Sequence, residues 1–406
     1  MTLRAPFAFI LVPLLVLCVG ACGRHQPKTA TPLQPKTAEL PTPPLPPIPP
    51  PPHIAGKNHI LIDAANGQVL AAGNENEPVE PASLTKIMTA YAVFDALRSG
   101  SLKIDDQVTI SEYAWRVGGA ATGGSTSFMP VHSQASVQVL LQGMIVQSGN
   151  DASIALAERV AGTEAAFAQL MNSYATRLGM TGSHFENSTG LPAAGHLTTA
   201  HDVAILSRAL IRDFPDYYRI FSERRLTYND IPQANRNGLL ERDPSVDGIK
   251  TGHTASAGYC LATSAKRNDM RLISVVMNTK SFKEREDASA ALLNYGFNFF
   301  ESKSLNQNDQ PLGTVRVWKG AQNELKVGTA GEVVVTVPRG RAKLVQTKID
   351  IPTSVVAPVD RSTPIGKITF TLNDKELATL PIYPQEDIAA AGFFARLVDS
   401  VRMKLE

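Results

Sequence analysis

Strand signals at both ends of a mostly helical stretch narrow the fold of this chain more than any other feature. At the front, residues 59–63 (His-Ile-Leu-Ile-Asp) and 68–72 flank Asn66-Gly67, a pair that readily takes the backbone of a tight hairpin turn. At the back, residues 246–253, 258–265 and 270–278 read as strands, the last two joined through Arg267-Asn268-Asp269. Between them apolar residues recur at helical spacing: Leu84, Ile87, Met88 and Tyr91, then residues 137–146, then Ile154, Leu156 and Val160, then residues 165–178. Thr198 to Asp202 carries the capping residues of a further helix. A last helix over 284–300 has Ala288, Leu292, Tyr295 and Phe299 on one face. Strands at both ends with helices between predict an α+β fold, an antiparallel sheet flanked by helices whose first and last segments meet.

The 406 residues leave room for about two or three domains. Residues 1–22 read as a leader: Arg4 supplies the positive start, and the apolar run 7–19 is too short to span a bilayer comfortably. Small residues then lead to Cys22 in Val19-Gly20-Ala21-Cys22-Gly23. Two cleavages fit, a secretory cut after Ala21 or a lipobox-type cut that leaves a lipid on Cys22, and both export the chain. Residues 23–52 form a proline-dense linker that favours extended polyproline II, a stalk rather than a core. Residues 53–303 are the main folded domain, and 304–384 a small β domain marked by alternating pairs such as Val315/Val317 and Val335/Val337. Residues 385–406 read as a helix with Phe394, Leu397, Val398, Val401 and Leu405 on one stripe. The stripe is too small to cross a bilayer, so it lies in the membrane interface or docks on the protein itself, and we read it as membrane-associating. Residues 112–129, rich in small residues and without a period, read as a loop that is either the rim of a site or a connector.

With 43% hydrophobic and 19% charged residues the chain is an ordinary globular protein, not a nucleic-acid binder, and a net charge of +2 selects no partner. Of three cysteines, Cys18 and Cys22 lie in the leader, so the body holds only Cys260, read as a small core residue. His196 and His201 read as surface or cap residues, and no cluster has metal-ligand spacing.

Three short motifs carry chemistry. In Ser83-Leu84-Thr85-Lys86 the serine and lysine sit one helical turn apart on one face. A serine hydroxyl is a poor nucleophile until a base takes its proton, and a neutral lysine one turn away is placed to be that base. Taken alone the pattern is expected roughly once by chance in a chain of this length. Ser148-Gly149-Asn150 taken alone is a helix–helix turn with a cap. Lys250-Thr251-Gly252 lies on a strand. Each is weak, but their joint occurrence in this order is far less probable than any one of them.

Together they match the motif set of penicillin-binding proteins and serine β-lactamases. The chain resembles the low-molecular-mass penicillin-binding proteins that are D-alanyl-D-alanine carboxypeptidases, of the penicillin-binding protein 5 and 6 type. The likeness runs from about residue 59 to the C-terminus and includes Leu61-Ile62-Asp63, residues 235–240, 246–254 and 282–286, the β domain and the tail. It implies a β-lactamase/transpeptidase-like fold and a serine peptidase that removes the terminal D-alanine of peptidoglycan pentapeptide through a Ser83 acyl-enzyme. Lys86 would be the base, kept neutral by desolvation and by the second cation Lys250. Ser148 would relay protons and Asn150 hold the substrate amide. Lys250, Thr251 and Arg285 would bind the terminal carboxylate. Backbone N–H groups of Ser83 and His253 would form the oxyanion hole, and Gly252 would leave room for substrate along the strand edge. β-Lactams would acylate the same serine, the protein would sit peripherally on the inner membrane facing the periplasm, and no cofactor is implied. One departure is Thr189, where relatives often carry histidine before Gly-Leu. The competing readings are a DD-endopeptidase or β-lactamase on the same fold, or a non-catalytic wall-binding scaffold. Residues 180–199 hold no convincing glutamate motif for the β-lactamase reading.

Overall fold

The computed structural model describes residues 47–305 and 311–405. The leader, Cys22 and all but the end of the proline-rich linker lie outside the described residues. The front hairpin is β1 (Asn58–Asp63) and β2 (Val69–Gly73). The back strands are β3 (Val246–Thr254), β4 (Gly258–Arg267) and β5 (Met270–Thr279). They form one sheet in the order β2-β1-β5-β4-β3, with β1 antiparallel to β5 from Asn58↔Met277 to Asp63↔Leu272. First and last segments therefore meet, as the sequence predicts. The run Ile60-Leu61-Ile62 is apolar throughout because β1 is covered on both sides. Ile60 and Ile62 join the core under the helices, whereas Leu61 joins a second core under α7 (Phe282–Phe299).

The helical layer comprises α1 (Thr85–Arg98), α2 (Glu112–Gly118), α3 (Val137–Val146), α4 (Asn150–Ala161), α5 (Glu164–Leu178) and α6 (Ala200–Asp213). Side-chain caps set several starts: Ser136 accepts from Val139 N, Thr163 from Ala166 N, Thr199 from Asp202 N and Ser281 from Glu284 N. α2 corrects the reading of 112–129 as a loop throughout. Ser111 caps it by accepting from Ala114 N, and Gly118 packs on α4, where an added Cβ would lie 2.3 Å from Asp151 N. So short a helix leaves no periodic signal.

The second region starts before the composition shift. β6 (Phe300–Ser304) already pairs antiparallel with β9 (Val334–Pro338), so a boundary between 303 and 304 runs through a strand. The rest is a six-stranded sheet of β7 (Gly313–Trp318), β8 (Glu324–Thr329), β10 (Gln346–Asp350), β11 (Ser354–Val356), β12 (Gly366–Leu372) and β13 (Lys375–Pro384), in the order β10-β12-β13-β8-β7-β11. It has its own apolar core around Val315, Leu325, Val327 and Phe370.

The tail helix is shorter than its pattern. Ile388 and Ala390 make bridges to Val359 and Gly320, so helix begins only at α8 (Phe393–Arg402). Its apolar stripe does not dock on the protein: Phe394 is 80% exposed and Leu397, Val398 and Val401 are each half-exposed or more. No helix among the described residues is long and apolar enough to cross a membrane.

Asp63, fully buried at the end of β1, ties the two regions together. Its carboxylate accepts from Ala65 N (2.8 Å), from Thr336 Oγ1 of β9 (2.8 Å) and from Ser302 Oγ of β6. Asn66 Nδ2 donates in turn to Thr336 Oγ1 at 2.8 Å. Removing the carboxylate leaves buried donors unmatched, at a cost of about 1–3 kcal/mol. We expect Asp63→Ala to lower the urea midpoint accordingly, and an unchanged midpoint would show that this cluster contributes nothing.

Candidate functional site

Ser83 lies in a short 3-10 turn, Ala82–Leu84, just before α1 rather than inside it. The turn is tight: Ala82 has φ +48°, an uncommon value for a residue with a side chain. Gly190 (φ +82°) packs on its carbonyl so closely that a Cβ would come within 1.8 Å of Ala82 O. Lys86 follows in the first turn of α1 with its side chain fully buried. Its Nζ has three acceptors: Ser83 Oγ at 3.1 Å, Asn150 Oδ1 at 2.7 Å and Thr189 O at 2.6 Å. Three acceptors suit an ammonium. A neutral amine has two protons to donate, to Asn150 and Thr189, and turns its lone pair to Ser83.

Burial is the largest cause that pulls the Lys86 pKa down, to about 7. Arg236 lowers it further, and Asp151 and Glu164 oppose. Arg236 thus adds to the expected Lys86–Lys250 pair, whose like charges act on each other. Lys250, itself fully buried, is held well below the usual lysine range by desolvation, then by Lys86, Arg236 and Arg285.

Ser148 sits between α3 and α4 with φ +67°. Gly149 beside it is obligatory, because a Cβ would lie 1.9 Å from Ser127 Oγ. Asn150 opens α4 and aims its carbonyl at Lys86, and buried Asp151 organises the preceding loop. It accepts from Ser127 N (2.8 Å), Met129 N (3.0 Å) and Thr126 Oγ1 (2.8 Å). Asn150 N also donates to Ser125 O at 2.9 Å. The stretch 123–125 is therefore held in place as a wall of the site.

β3 is the edge strand of the sheet and runs beside the serine turn. A Cβ on Gly252 would lie 3.0 Å from Pro81 O and 3.3 Å from Ala82 Cβ, so this glycine lets the strand approach the turn as well as lining the cleft. Lys250 and Thr251 are buried, and Lys250 Nζ donates to Thr251 O at 3.2 Å. The His253 ring stacks on Tyr259 at 4.0 Å, and the residue lines the cleft. Arg285 enters from α7, donating to Gly252 O and Arg236 O, both at 3.3 Å, under the Phe282 ring at 4.8 Å. Its Nε is buried without a partner, and burial lowers its pKa to about 10.

Ser83, Ser148, Thr251, Gly252, His253 and Arg285 line one cleft of about 230 Å³, with Lys86, Asn150 and Lys250 buried in its surroundings. Among the described residues none of Lys86, Lys250, Arg236 or Arg285 forms an ion pair with a carboxylate, and no carboxylate lines the cleft. Such a site is built for an anionic group. No group of three or more His, Cys, Asp or Glu among the described residues is arranged to hold a metal.

The sequence assigned no role to Arg236, which lines the cleft and donates from Nε to Gln147 O at 3.0 Å. It also missed Asp151 and the Thr189 carbonyl, whose contributions appear only when distant segments meet. His196 is a correction. It is 2% exposed, not a surface residue: Nδ1 accepts from Glu186 N at 3.3 Å, leaving Nε2–H to face Thr85 Oγ1 at 2.9 Å. Burial, as the largest cause, lowers its pKa to about 4, so it stays neutral. The Thr189 hydroxyl is used within its own turn, donating to Asn187 Oδ1 at 2.9 Å. Cys260 is a buried core residue, as read, its thiol pushed up to about 11 by burial.

Residues 47–281 match the family model described as D-alanyl-D-alanine carboxypeptidase, and residues 300–390 match that of the penicillin-binding protein 5 C-terminal domain. D-alanyl-D-alanine carboxypeptidase DacC of Escherichia coli K12 is 44% identical over 356 residues, 87% of this chain and 89% of that protein. The crystal structure of penicillin-binding protein 5 from Haemophilus influenzae superposes with a TM-score of 0.79 at 38% identity, covering 84% of this chain and 99% of that one. Penicillin-binding protein D2 of Listeria monocytogenes in its ampicillin-bound form gives 0.54 at 29% identity, covering 61% of this chain and 99% of that one.

An amine with a pKa of about 7 is ammonium below neutrality and free base above it. We expect the Lys86 ¹⁵Nζ shift to titrate with its midpoint near neutral pH. A midpoint at the ordinary lysine value, about 10.4, would contradict this geometry.

Proposed function

The chain belongs to the D-alanyl-D-alanine carboxypeptidases, penicillin-binding serine hydrolases, and from that premise we propose how its residues divide the reaction. Neutral Lys86 takes the Ser83 proton as Oγ bonds to the carbonyl carbon between the two D-alanines. The developing oxyanion accepts from the backbone N–H groups of Ser83 and His253. As the C–N bond breaks, the proton passes from Lys86 by way of Ser148 to the leaving amine, and D-alanine departs. Asn150 has two tasks, fixing the Lys86 amine and meeting the substrate amide. Lys250, Thr251 and Arg285 bind the terminal carboxylate, aided by Arg236. Water then attacks the ester, gives up a proton and restores the Ser83 hydroxyl. The observation that carries this reading is the Lys86 amine, 3.1 Å from Ser83 Oγ and held by two further acceptors in a cleft whose cations lack carboxylate partners. A β-lactam, a cyclic amide beside a carboxylate, fits the same groups and acylates Ser83. The absence of a carboxylate from the cleft lining weighs against a β-lactamase that activates water with glutamate.

The placement of the protein belongs to the same proposal. The leader exports it, and the proline-rich segment is a stalk. The stalk ends earlier than residue 52, because Ile48 packs against the core under α7 and Pro49 O accepts from the Tyr295 hydroxyl at 3.1 Å. α8 lies in the interface of the inner membrane on the periplasmic side. Its exposed Phe393, Phe394, Leu397 and Val401 support this reading. A lipid on Cys22 is a second anchor.

Ser83→Ala is expected to abolish D-alanine release from a pentapeptide, by at least about 10³-fold, with an unchanged unfolding profile. Undiminished release would remove Ser83 from the mechanism. Deleting residues 392–406, which spares the bridges at Ile388 and Ala390, is expected to shift the protein from membrane to soluble fractions once Cys22→Ala removes the other anchor. Full retention of that double variant would exclude α8 as an anchor.

A further inference from the structure

A second cavity, of about 400 Å³, lies against the other edge of the main sheet from the catalytic cleft. It is bounded by the C-terminal end of α5, one face of α6 and the β1–β2 turn at Asn66-Gly67. Four basic side chains line it, Arg177, His201, Arg208 and Arg212, and no acidic one does. The nearby carboxylates are already engaged. Asp213 pairs with Arg212 at 2.6 Å and accepts from the Tyr91 hydroxyl at 2.8 Å. Asp202, 3.7 Å from His201, also accepts from Gly182 N and Ser183 Oγ. Arg208 reaches only backbone, donating from Nε to Ala64 O at 2.8 Å and from Nη2 to Ala65 O at 2.9 Å. Arg177 lies over the Tyr174 ring at 4.6 Å. Among the described residues neither of these two guanidiniums forms an ion pair; Asp63, already accepting from Ala65 N and Thr336 Oγ1, acts on Arg208 only at longer range. The remaining wall is mixed, with apolar Ile62, Leu178 and Ile205 beside the polar Asn66.

Guanidinium forks match a carboxylate, and the apolar wall residues favour an anion that carries an aliphatic group over a bare, strongly hydrated ion. The volume suits the end of a short peptide. By contrast, the larger cavity near the β4–β5 turn mixes Arg267 and Arg339 with Asp269 and Glu301 and offers no net preference. We propose that the α5–α6 cavity is a second, non-catalytic site that takes the C-terminal carboxylate and alanine methyl of a stem peptide ending in D-alanine. The proposal rests on the reaction given above, because that reaction leaves such ends along the wall polymer. Holding one stem raises the local concentration of its untrimmed neighbours, provided the polymer spans the two sites.

The test uses the full chain acylated by penicillin, with acylation checked by mass. If acylation fails, the reaction reading fails, and the Ser83→Ala protein replaces it in the titration. Separate calorimetric titrations use an N-acetyl peptide ending in one D-alanine, its C-terminal amide, inorganic phosphate and anionic phospholipid vesicles. The acid peptide is expected to bind saturably, the amide about tenfold more weakly. Arg177→Gln, which gives up only a ring contact, is expected to weaken the acid peptide about fivefold or more while leaving soluble pentapeptide trimming unchanged. Arg208→Gln is expected to act in the same direction, and Arg177→Gln decides alone should the hairpin loosen. Equal binding of acid and amide, no saturable binding, or no effect of Arg177→Gln overturns the proposal. So does binding of phosphate or vesicles in place of the peptide.

Discussion

One buried amine holds the site together. Lys86 Nζ meets Ser83 from the 3-10 turn just before its helix, Asn150 from the start of α4 and the Thr189 carbonyl from the 187–191 turn. Three segments far apart in sequence converge there, and a buried amine tolerates no missing acceptor. The strained positions nearby serve that convergence. Ala82 and Ser148 take left-handed backbone, and Gly190 and Gly149 give up side chains where any Cβ would collide. Strain of this kind persists only where surrounding packing enforces it.

The electrostatics follow from the same burial. Among the described residues no carboxylate lines the cleft, and lost water together with the neighbouring like charges disfavours the ammonium form of Lys86 and Lys250. A substrate carboxylate would supply the missing counter-charge at the Lys250–Arg285 end. That end sits on an edge strand and the helix that follows the sheet, while Ser83 and Lys86, the proposed nucleophile and base, sit on a turn and α1. The sheet is therefore the frame that fixes the distance between the proposed carboxylate end and Ser83.

Much of this was legible in the sequence. The sheet with meeting ends followed from the strands flanking a helical middle. The Ser83–Lys86 contact followed from one-turn spacing. What stayed hidden depends on long-range contacts or on pieces too short for a period. α2 is seven residues long and is stabilised by its Ser111 cap and its packing on α4. β6 looks like the end of a helix until β9 pairs with it. His196 was read as a surface residue because nothing near it in sequence says that Thr85 is its partner, 111 residues away. Arg236, Asp151 and the Thr189 carbonyl belong to the same class. The tail helix was overextended because apolar residues at 388–391 serve bridges rather than a helical stripe.

The division of labour stands or falls on whether Ser83 is deprotonated by a neutral lysine. The most direct measurement is the rate at which penicillin acylates Ser83, followed by intact mass from pH 5.5 to 9.5. A base with a pKa of about 7 requires a rate that rises through a single proton loss near that pH and levels off above it. A rate flat across the whole range, or one still climbing at pH 9.5 toward the ordinary lysine value, would show that Lys86 is not the base.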